Sequence, residues 1–269
     1  MFSVLMSLYD KEEPLNLDAC LKSLTLQTLP ASEVIIVFDG HINEDLNKIV
    51  SKYTEFLNIK IKKLPHNIGL GNALNIGMKE CNYDIIARMD TDDICRPERF
   101  ERQISFLNKN KDISLLGAGI IEFDEYGNKR MKIMPTEDEE IKKFMKIKNP
   151  FNHMTMVFKK DSIINIGGYK HHLYMEDYNL WLRANASGCK MYNIPDVLVE
   201  ARVGQQMIMR RRGLKYIKSE IELAKLKRKL KSTTFLEGWI ILFIRCIPRL
   251  VPYKILNYLY NRDRQELKQ

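Results

Sequence analysis

The chain has 269 residues, 45% of them hydrophobic and 29% charged, a balance that excludes disorder and low-complexity sequence. That length can bury a substantial core as one large domain or one domain with an appendage. The net charge of +9 is unevenly spread: residues 1–200 carry 26 Lys and Arg against 29 Asp and Glu, whereas residues 201–269 carry 17 against 5, so the basic end implies an anionic partner.

Phe2–Leu8 reads as a first strand, and Asp10, Lys11, Glu12 and Glu13 end the apolar run too early for a secretory leader. A helical stripe at Leu17, Leu21 and Leu24 follows Pro14. Val34-Ile35-Ile36-Val37-Phe38 is apolar and rich in β-branching, as in a strand covered on both faces. A polar helix around 43–56, a strand at 59–64, a helix at 69–80 and a strand at Ile85–Met89 continue the alternation. Strands separated by helices of this length predict βαβ units and a mostly parallel, Rossmann-like sheet, hence an α/β fold. Pro97 opens a helix with Phe100, Ile104 and Leu107 on one face, and Ile113–Phe123 is a further strand. Charged, loop-like sequence from Glu125 to Lys148 precedes a strand at Met154–Phe158 and a turn at Gly167-Gly168-Tyr169. The next helix has Glu176-Asp177 near its start and Leu180 and Leu182 within it.

Near residue 201 the character changes. Arg210-Arg211-Arg212 introduces a basic helix with Leu214, Ile217, Ile221 and Ala224 at helical spacing, and Phe235–Tyr260 is apolar and aromatic but broken by Pro248 and Pro252. The expected organisation is a catalytic domain over residues 1–200 and a C-terminal helical, basic, amphipathic extension over 201–269. The longest apolar run near the end, Trp239 to Ile244, is six residues long, far short of the roughly 20 that a membrane span needs. Five scattered Cys with no CxxC pair fit reduced thiols in a cytosolic setting.

Open parallel sheets bind ligands beyond the carboxyl ends of their strands. Those ends are Tyr9-Asp10, Asp39-Gly40 and Asp90-Thr91-Asp92-Asp93, three arrivals of polar, mostly acidic groups at one rim. Three carboxylates within four residues repel one another unless a cation or hydrogen-bond donors compensate. Oxygen ligands without a thiolate suit Mg²⁺ or Mn²⁺ shared with a phosphate. The competing reading is an acidic turn capping the next helix; the buried strand before it and Asp39 on the same rim favour the metal. Glu176-Asp177 is a second acidic pair. A carboxylate in a partly dry site has a raised pKa and serves as a general base, against the reading that acids simply favour helix N-termini.

Phe2–Tyr9, Val37–Gly40, Asn67–Asn75, Arg88–Asp93 and Glu176–Arg183, in that order, resemble the family 2 glycosyltransferases of GT-A fold over residues 1–200. Within that family the chain is most similar to bacterial enzymes of O-antigen, capsule and exopolysaccharide assembly, the amylovoran-type transferases among them. The resemblance implies that Tyr9 contacts a uracil ring and Asp39 its imide edge. Asn67, Gly69 and Asn72 would lie beside the nucleotide, with Arg88 in the same set. Asp90 would face the ribose or the metal shell, Asp92 would bind the metal bridging the diphosphate, and Asp93 would be a further or alternate ligand. Asp177 would be the base, supported by Glu176. Many relatives carry two adjacent acids where this chain has Phe38-Asp39.

The implied reaction moves a hexose, glucose or galactose, from a UDP-sugar to a sugar-diphosphate-polyprenyl acceptor with Mn²⁺ or Mg²⁺ as cofactor. One base without a second nucleophile favours in-line displacement with inversion. Three residues keep two readings each. His153 is a hydrogen-bonded structural residue or a metal or acceptor-diphosphate contact. Trp181 is an acceptor platform or core. Arg183 is a phosphate contact or an ion-pair partner of Glu176 or Asp177.

The tail interleaves Trp239, Phe243, Tyr253, Tyr258 and Tyr260 with Arg245, Arg249, Lys254 and Arg262. That mixture suits the interface of an anionic membrane surface, the alternative being a helical subdomain packed on the sheet. No nucleic-acid module is visible. The expected location is the cytoplasm, peripheral on the inner face of the cell membrane. Two rival functions are a sugar nucleotidyltransferase and a non-catalytic membrane-associated protein with a relic nucleotide site. The first would need a Gly-rich, basic loop where Tyr9-Asp10-Lys11-Glu12 stands, and the joint presence of Asp92 and Asp177 argues against the second.

Overall fold

The computed structural model describes residues 1–204, 209–252, 255–256 and 265–266. Its first half alternates as the hydrophobic pattern requires: β1 (Ser3–Leu8), α1 (Pro14–Thr25), β2 (Glu33–Phe38), α2 (Glu44–Tyr53), β3 (Ile59–Lys63), α3 (Leu70–Glu80) and β4 (Ile85–Arg88). These four strands pair in parallel in the order β4-β1-β2-β3. Val4, Met6 and Leu8 of β1 and Val34, Ile36 and Phe38 of β2 join Leu17, Leu21, Leu46 and Val50 in one apolar cluster. Leu5, Ile35 and Val37 point the other way, onto Ala73, Leu74 and Met78 of α3. The two faces of each strand thus each find a helix, which is why the runs are apolar without alternation. A Cβ on Gly77 of α3 would lie 2.5 Å from Leu5 Cδ1, so glycine lets this helix sit close on the sheet.

The second half is mixed. β5 (Ile94–Cys95), α4 (Arg99–Lys109), β6 (Ile113–Phe123), β7 (Lys129–Lys132), α5 (Asp138–Met145), β8 (Val157–Lys159), α6 (Lys160–Ile164), α7 (Glu176–Ala186) and β9 (Lys190–Arg202) follow. β8 runs antiparallel between β4 and β6, and β9 lies parallel to β6 and antiparallel to β5. Gln265–Glu266 forms a last strand against β7.

Three local expectations change. Glu125–Lys148 is not all loop: it holds β7 and α5, the latter started by a reciprocal Glu137–Glu140 capping box. The strand expected at Met154–Phe158 begins as a 3₁₀ turn over His153–Thr155 and becomes extended only at Val157. The thirteen-residue β9 has no clean period of two, because its ladder with β6 shifts register around Gly119 as the chain passes Pro195-Asp196.

The basic tail forms α8 (Gly213–Lys229) and α9 (Phe235–Leu250). The buried face of α8 is Tyr216, Ser219, Glu220, Leu223 and Lys227, not the stripe through Leu214 and Ile221, which is exposed. α8 rests on the segment leading into α7. Tyr216 stacks on Tyr174 at 5.6 Å, and the Ser219 carbonyl lies 3.0 Å from His172 Nε2. Tyr253, Lys254, Tyr258, Tyr260 and Arg262 lie outside the described residues.

Candidate active site

The acidic corner is built at the end of β4. Arg88 is fully buried and spreads its guanidinium across both oxygens of Asp90. Asp90, Asp92 and Asp93 each place a carboxylate oxygen within 4.8 Å of the others. Burial, then the charges of Asp90 and Glu12, push Asp92 up to about 7. Burial, then the charges of Asp90 and Asp92, hold Asp93 well above the usual carboxylate range. One Asp93 oxygen accepts the Arg202 backbone N–H at 2.8 Å, while the other is buried with no partner. Crowded, oxygen-only donors with one orphaned oxygen are what a hard divalent cation satisfies, so these residues fit Mg²⁺ or Mn²⁺. Thr91 donates its hydroxyl to Glu12, which tethers the loop after β1 to this corner.

A second wall rises from the end of β2. The Asp39 carboxylate is buried and accepts the backbone N–H of Ile68 at 2.7 Å and of Gly69 at 3.1 Å. The Asn67 amide donates to the Asp39 carbonyl, and the Asn72 amide donates to that of Ile68. Gly40 has φ +94°, and a Cβ there would lie 2.8 Å from Asn67 N, so the close approach of the two loops requires glycine. Asp39 therefore shapes the 67–69 loop with one lone pair from each oxygen and keeps acceptor capacity on both. Tyr9, just past β1, is 43% exposed on the same rim.

The third wall is the first turn of α7. Asp177 is half-buried and accepts from Asn149 Nδ2 at 2.6 Å and from the Tyr178 N–H at 2.7 Å. Burial raises its pKa above the ordinary range, and these donors, with the charges of Arg88 and Arg211, oppose the rise. Glu176 is also raised, chiefly by burial, and accepts the backbone N–H of Gly71 from the start of α3. Its carboxylate lies 3.7 Å from His171 Nδ1.

The walls meet. Asp39 holds the residues just before α3, and Gly71 in the first turn of α3 reaches Glu176, so one helix start links β2 to α7. The buried Tyr169 phenol feels the charges of Asp177, Asp90 and Glu176 together, and its pKa is raised, mostly by burial. The charge of Arg88 acts on Asp92, Asp93 and Asp177 alike. The Asp90–Asp93 corner and the Glu176-Asp177 turn thus share one electrostatic neighbourhood.

The three ambiguous residues separate. His153 Nε2 lies 2.7 Å from the Tyr169 hydroxyl, and burial beside the Arg88 charge holds the imidazole neutral. Trp181 is fully enclosed against Phe151 and His153, so no sugar can stack on it; it is core. Arg183 is neither a phosphate contact nor an ion-pair partner of Glu176 or Asp177. It is buried, and its donors go to Asn179 Oδ1 and the Ile166 and Gly168 carbonyls, closing the glycine turn.

Four contributors escape the sequence reading. Glu12 and Arg202 reach the acidic corner, Asn149 reaches Asp177, and Asn75 clasps Tyr169 through both its backbone N–H and its carbonyl. Glu12, on a strand-end loop, and Asn75, inside the Asn67–Asn75 segment, stood in stretches already singled out.

A mixed sheet with acids at the ends of its parallel strands, flanked by helices and followed by a helical pair, is the GT-A architecture. The mannosyltransferase PcManGT from Pyrobaculum calidifontis, solved with GDP-Man and Mn²⁺, shares it at TM-score 0.65 and 13% identity, over 97% of this chain and 79% of that one. The sequence model for glycosyl transferase family 2 matches residues 3–167, and the chain belongs to that family of glycosyltransferases. It is 50% identical to the amylovoran biosynthesis glycosyltransferase AmsE of Erwinia amylovora over 98% of this chain and 100% of that protein. It is 38% identical to the UDP-Gal:alpha-D-GlcNAc-diphosphoundecaprenol beta-1,3-galactosyltransferase of Escherichia coli over 97% and 95%.

Proposed function

We propose that this glycosyltransferase moves a hexose, galactose or glucose, from a UDP-sugar to a sugar linked through a diphosphate to a polyprenyl lipid, during assembly of a surface polysaccharide. The observation that carries the reading is a single neighbourhood holding a raised, half-buried Asp177 and the Asp90–Asp92–Asp93 corner. The names of the two relatives, one for amylovoran biosynthesis and one for UDP-Gal and a diphosphoundecaprenol acceptor, support the pathway class and the substrates.

Asp39 and the loop it holds receive the nucleobase, with Tyr9 against the ring and the free acceptor capacity of Asp39 on the imide. The amides of Asn67 and Asn72 and the backbone at Gly69 line the approach to the ribose and phosphates. Arg88, bonded to both oxygens of Asp90, keeps that carboxylate oriented. Mn²⁺ or Mg²⁺ held by Asp92 with Asp90 and Asp93 would supply positive charge against the departing diphosphate. Asp177 takes the proton of the acceptor hydroxyl, and Asn149 and Glu176 set its orientation and the spacing of the two walls. With one base and no opposed nucleophile, the transfer inverts the anomeric centre. His153 orients Tyr169 between the two acidic groups. Residues 1–200 form the catalytic domain, and residues 201–269 hold it as a peripheral protein on the cytoplasmic face of the membrane that carries the acceptor.

The test is a panel of UDP-sugars with a synthetic sugar-diphosphate-lipid acceptor, reading UDP release and product anomeric configuration. UDP-Gal or UDP-Glc should give a β-linked product. Asp177→Asn should keep donor affinity and lower kcat by roughly a hundred- to ten-thousandfold. Normal turnover by that variant would remove the base assignment.

A further inference from the structure

α9 has two unlike sides. On one, Arg245 grips the buried Glu220 of α8, Nε to Oε2 at 2.5 Å and Nη2 to Oε1 at 2.8 Å, and donates from Nη1 to the Ile147 carbonyl at 2.6 Å. Arg249 adds a second cation 3.6 Å from Glu220. On the other side, Phe235, Trp239, Ile240, Phe243, Ile247 and Leu250 share one helix face, Trp239 and Ile240 being adjacent and the others three or four residues apart, and are 45–68% exposed. No residue of α9 is buried. Charges therefore face the protein and aromatics face solvent, the reverse of an ordinary surface helix. A contiguous apolar row of this kind marks an interaction surface.

The occupant follows from charge and length. α9 has sixteen residues, about 24 Å of helix, and among the described residues no helix is long and apolar enough to cross a membrane. The helix can lie in an interface but cannot span it. Pairing with a second copy would bring two tails of excess positive charge together, 17 Lys and Arg against 5 Asp and Glu in each, whereas anionic lipid headgroups would be drawn to that charge. Arg228 lies over the exposed Phe235 ring at 4.8 Å, a cation at the edge of the apolar row.

Resting on the reading that the acceptor is membrane-borne, we propose that α9 lies flat in the interface of an anionic bilayer on its Phe235–Leu250 row and sets the height of the catalytic cleft above the lipid. The inner contacts make the seat rigid. Arg245 and the buried Lys227 both lie over the Tyr178 ring, at 5.6 and 4.7 Å, and Tyr178 follows Asp177 in the first turn of α7. The Lys227 ammonium also donates to the Lys146 carbonyl at 2.8 Å. The membrane-facing helix is thereby fastened to the helix that carries Asp177, so the docked pose fixes where a lipid-linked diphosphate meets the site.

The test is the full chain carrying Trp239→Glu and Phe243→Glu, two exposed positions whose change leaves the inner contacts alone. Co-sedimentation with phosphatidylcholine vesicles containing phosphatidylglycerol should weaken by roughly a hundredfold. Transfer to a long-chain polyprenyl acceptor in those vesicles should fall in step, while transfer to a short, water-soluble acceptor stays unchanged. Undiminished vesicle binding by the variant overturns the proposal. So does equal binding of the wild type to pure phosphatidylcholine, or a wild-type dimer that the substitutions dissociate. Vesicle binding is read without turnover, so a failure of the proposed sugar transfer is distinguishable from a failure of the seat.

Discussion

Replacing Asn149 by alanine removes the side-chain amide that donates to Asp177 at 2.6 Å and leaves the Tyr178 N–H in place. A hydrogen bond to a charged group contributes about 1.5–3 kcal/mol, and about 1.4 kcal/mol corresponds to one pK unit. Asp177 is only half enclosed, so water takes over part of the lost interaction and the net effect is about one unit. The sign is set by which form the donor favours. Burial already raises Asp177, and Asn149 opposes that rise by stabilising the carboxylate. Without it the pKa climbs further. A general base works deprotonated, so the acid limb of kcat/KM should move to higher pH by about one unit, and the plateau above it should fall as Asp177 loses the orientation that Asn149 gives it. The measurement is UDP release across a pH series at subsaturating acceptor, alongside thermal melts to verify folding. An acid limb that stays put or moves down in a folded variant would refute the assignment of Asp177 as base.

Asp92→Ala should abolish turnover and with it Mn²⁺-dependent UDP binding measured by calorimetry; retention of both would take the metal away from the Asp90–Asp93 corner. Gly168→Ala should cost about 2 kcal/mol in urea unfolding. Gly168 has φ +61°, and the new Cβ would lie 2.3 Å from Asn75 Oδ1, the atom that accepts the Tyr169 N–H. Because the Tyr169 phenol feels the charges of both acidic groups, kcat should fall as well, and a variant of unchanged stability would show that the turn tolerates a side chain.

How far the sequence carried depended on whether an interaction was local. β1, β2 and α3 were legible because each strand buries both faces and writes that burial as an unbroken apolar run. The same logic failed for β9, whose bulge near Pro195-Asp196 scrambles the alternation, and for α5, whose start is a charged capping box inside a charged stretch. α8 misled for a different reason. Its inward face holds Glu220 and Lys227, polar groups made tolerable by Arg245 and the Lys146 carbonyl, so the apolar stripe at Leu214 and Ile221 marked the wrong side. In the site, the acids at strand ends and at the start of α7 could be found from spacing. Asn149, Arg202 and Asn75 could not be given roles, because each acts through a partner 28 to 109 positions away. Trp181 and Arg183 show the converse: functional-looking side chains that tertiary packing spends on the core and on a turn.

The hydrogen bond from the Arg202 N–H to Asp93 bears on how short a recombinant fragment of this protein can be made. The family match stops at residue 167 and the compositional change falls near 201, and either looks like a natural place to end an expression plasmid. A fragment ending at either point lacks the backbone donor that steadies the carboxylate just before β5, the strand that pairs with β9. Such a piece could keep its parallel-stranded half intact and still leave the Asp90–Asp93 corner without its brace, so a negative activity assay on it would say nothing about the parent enzyme.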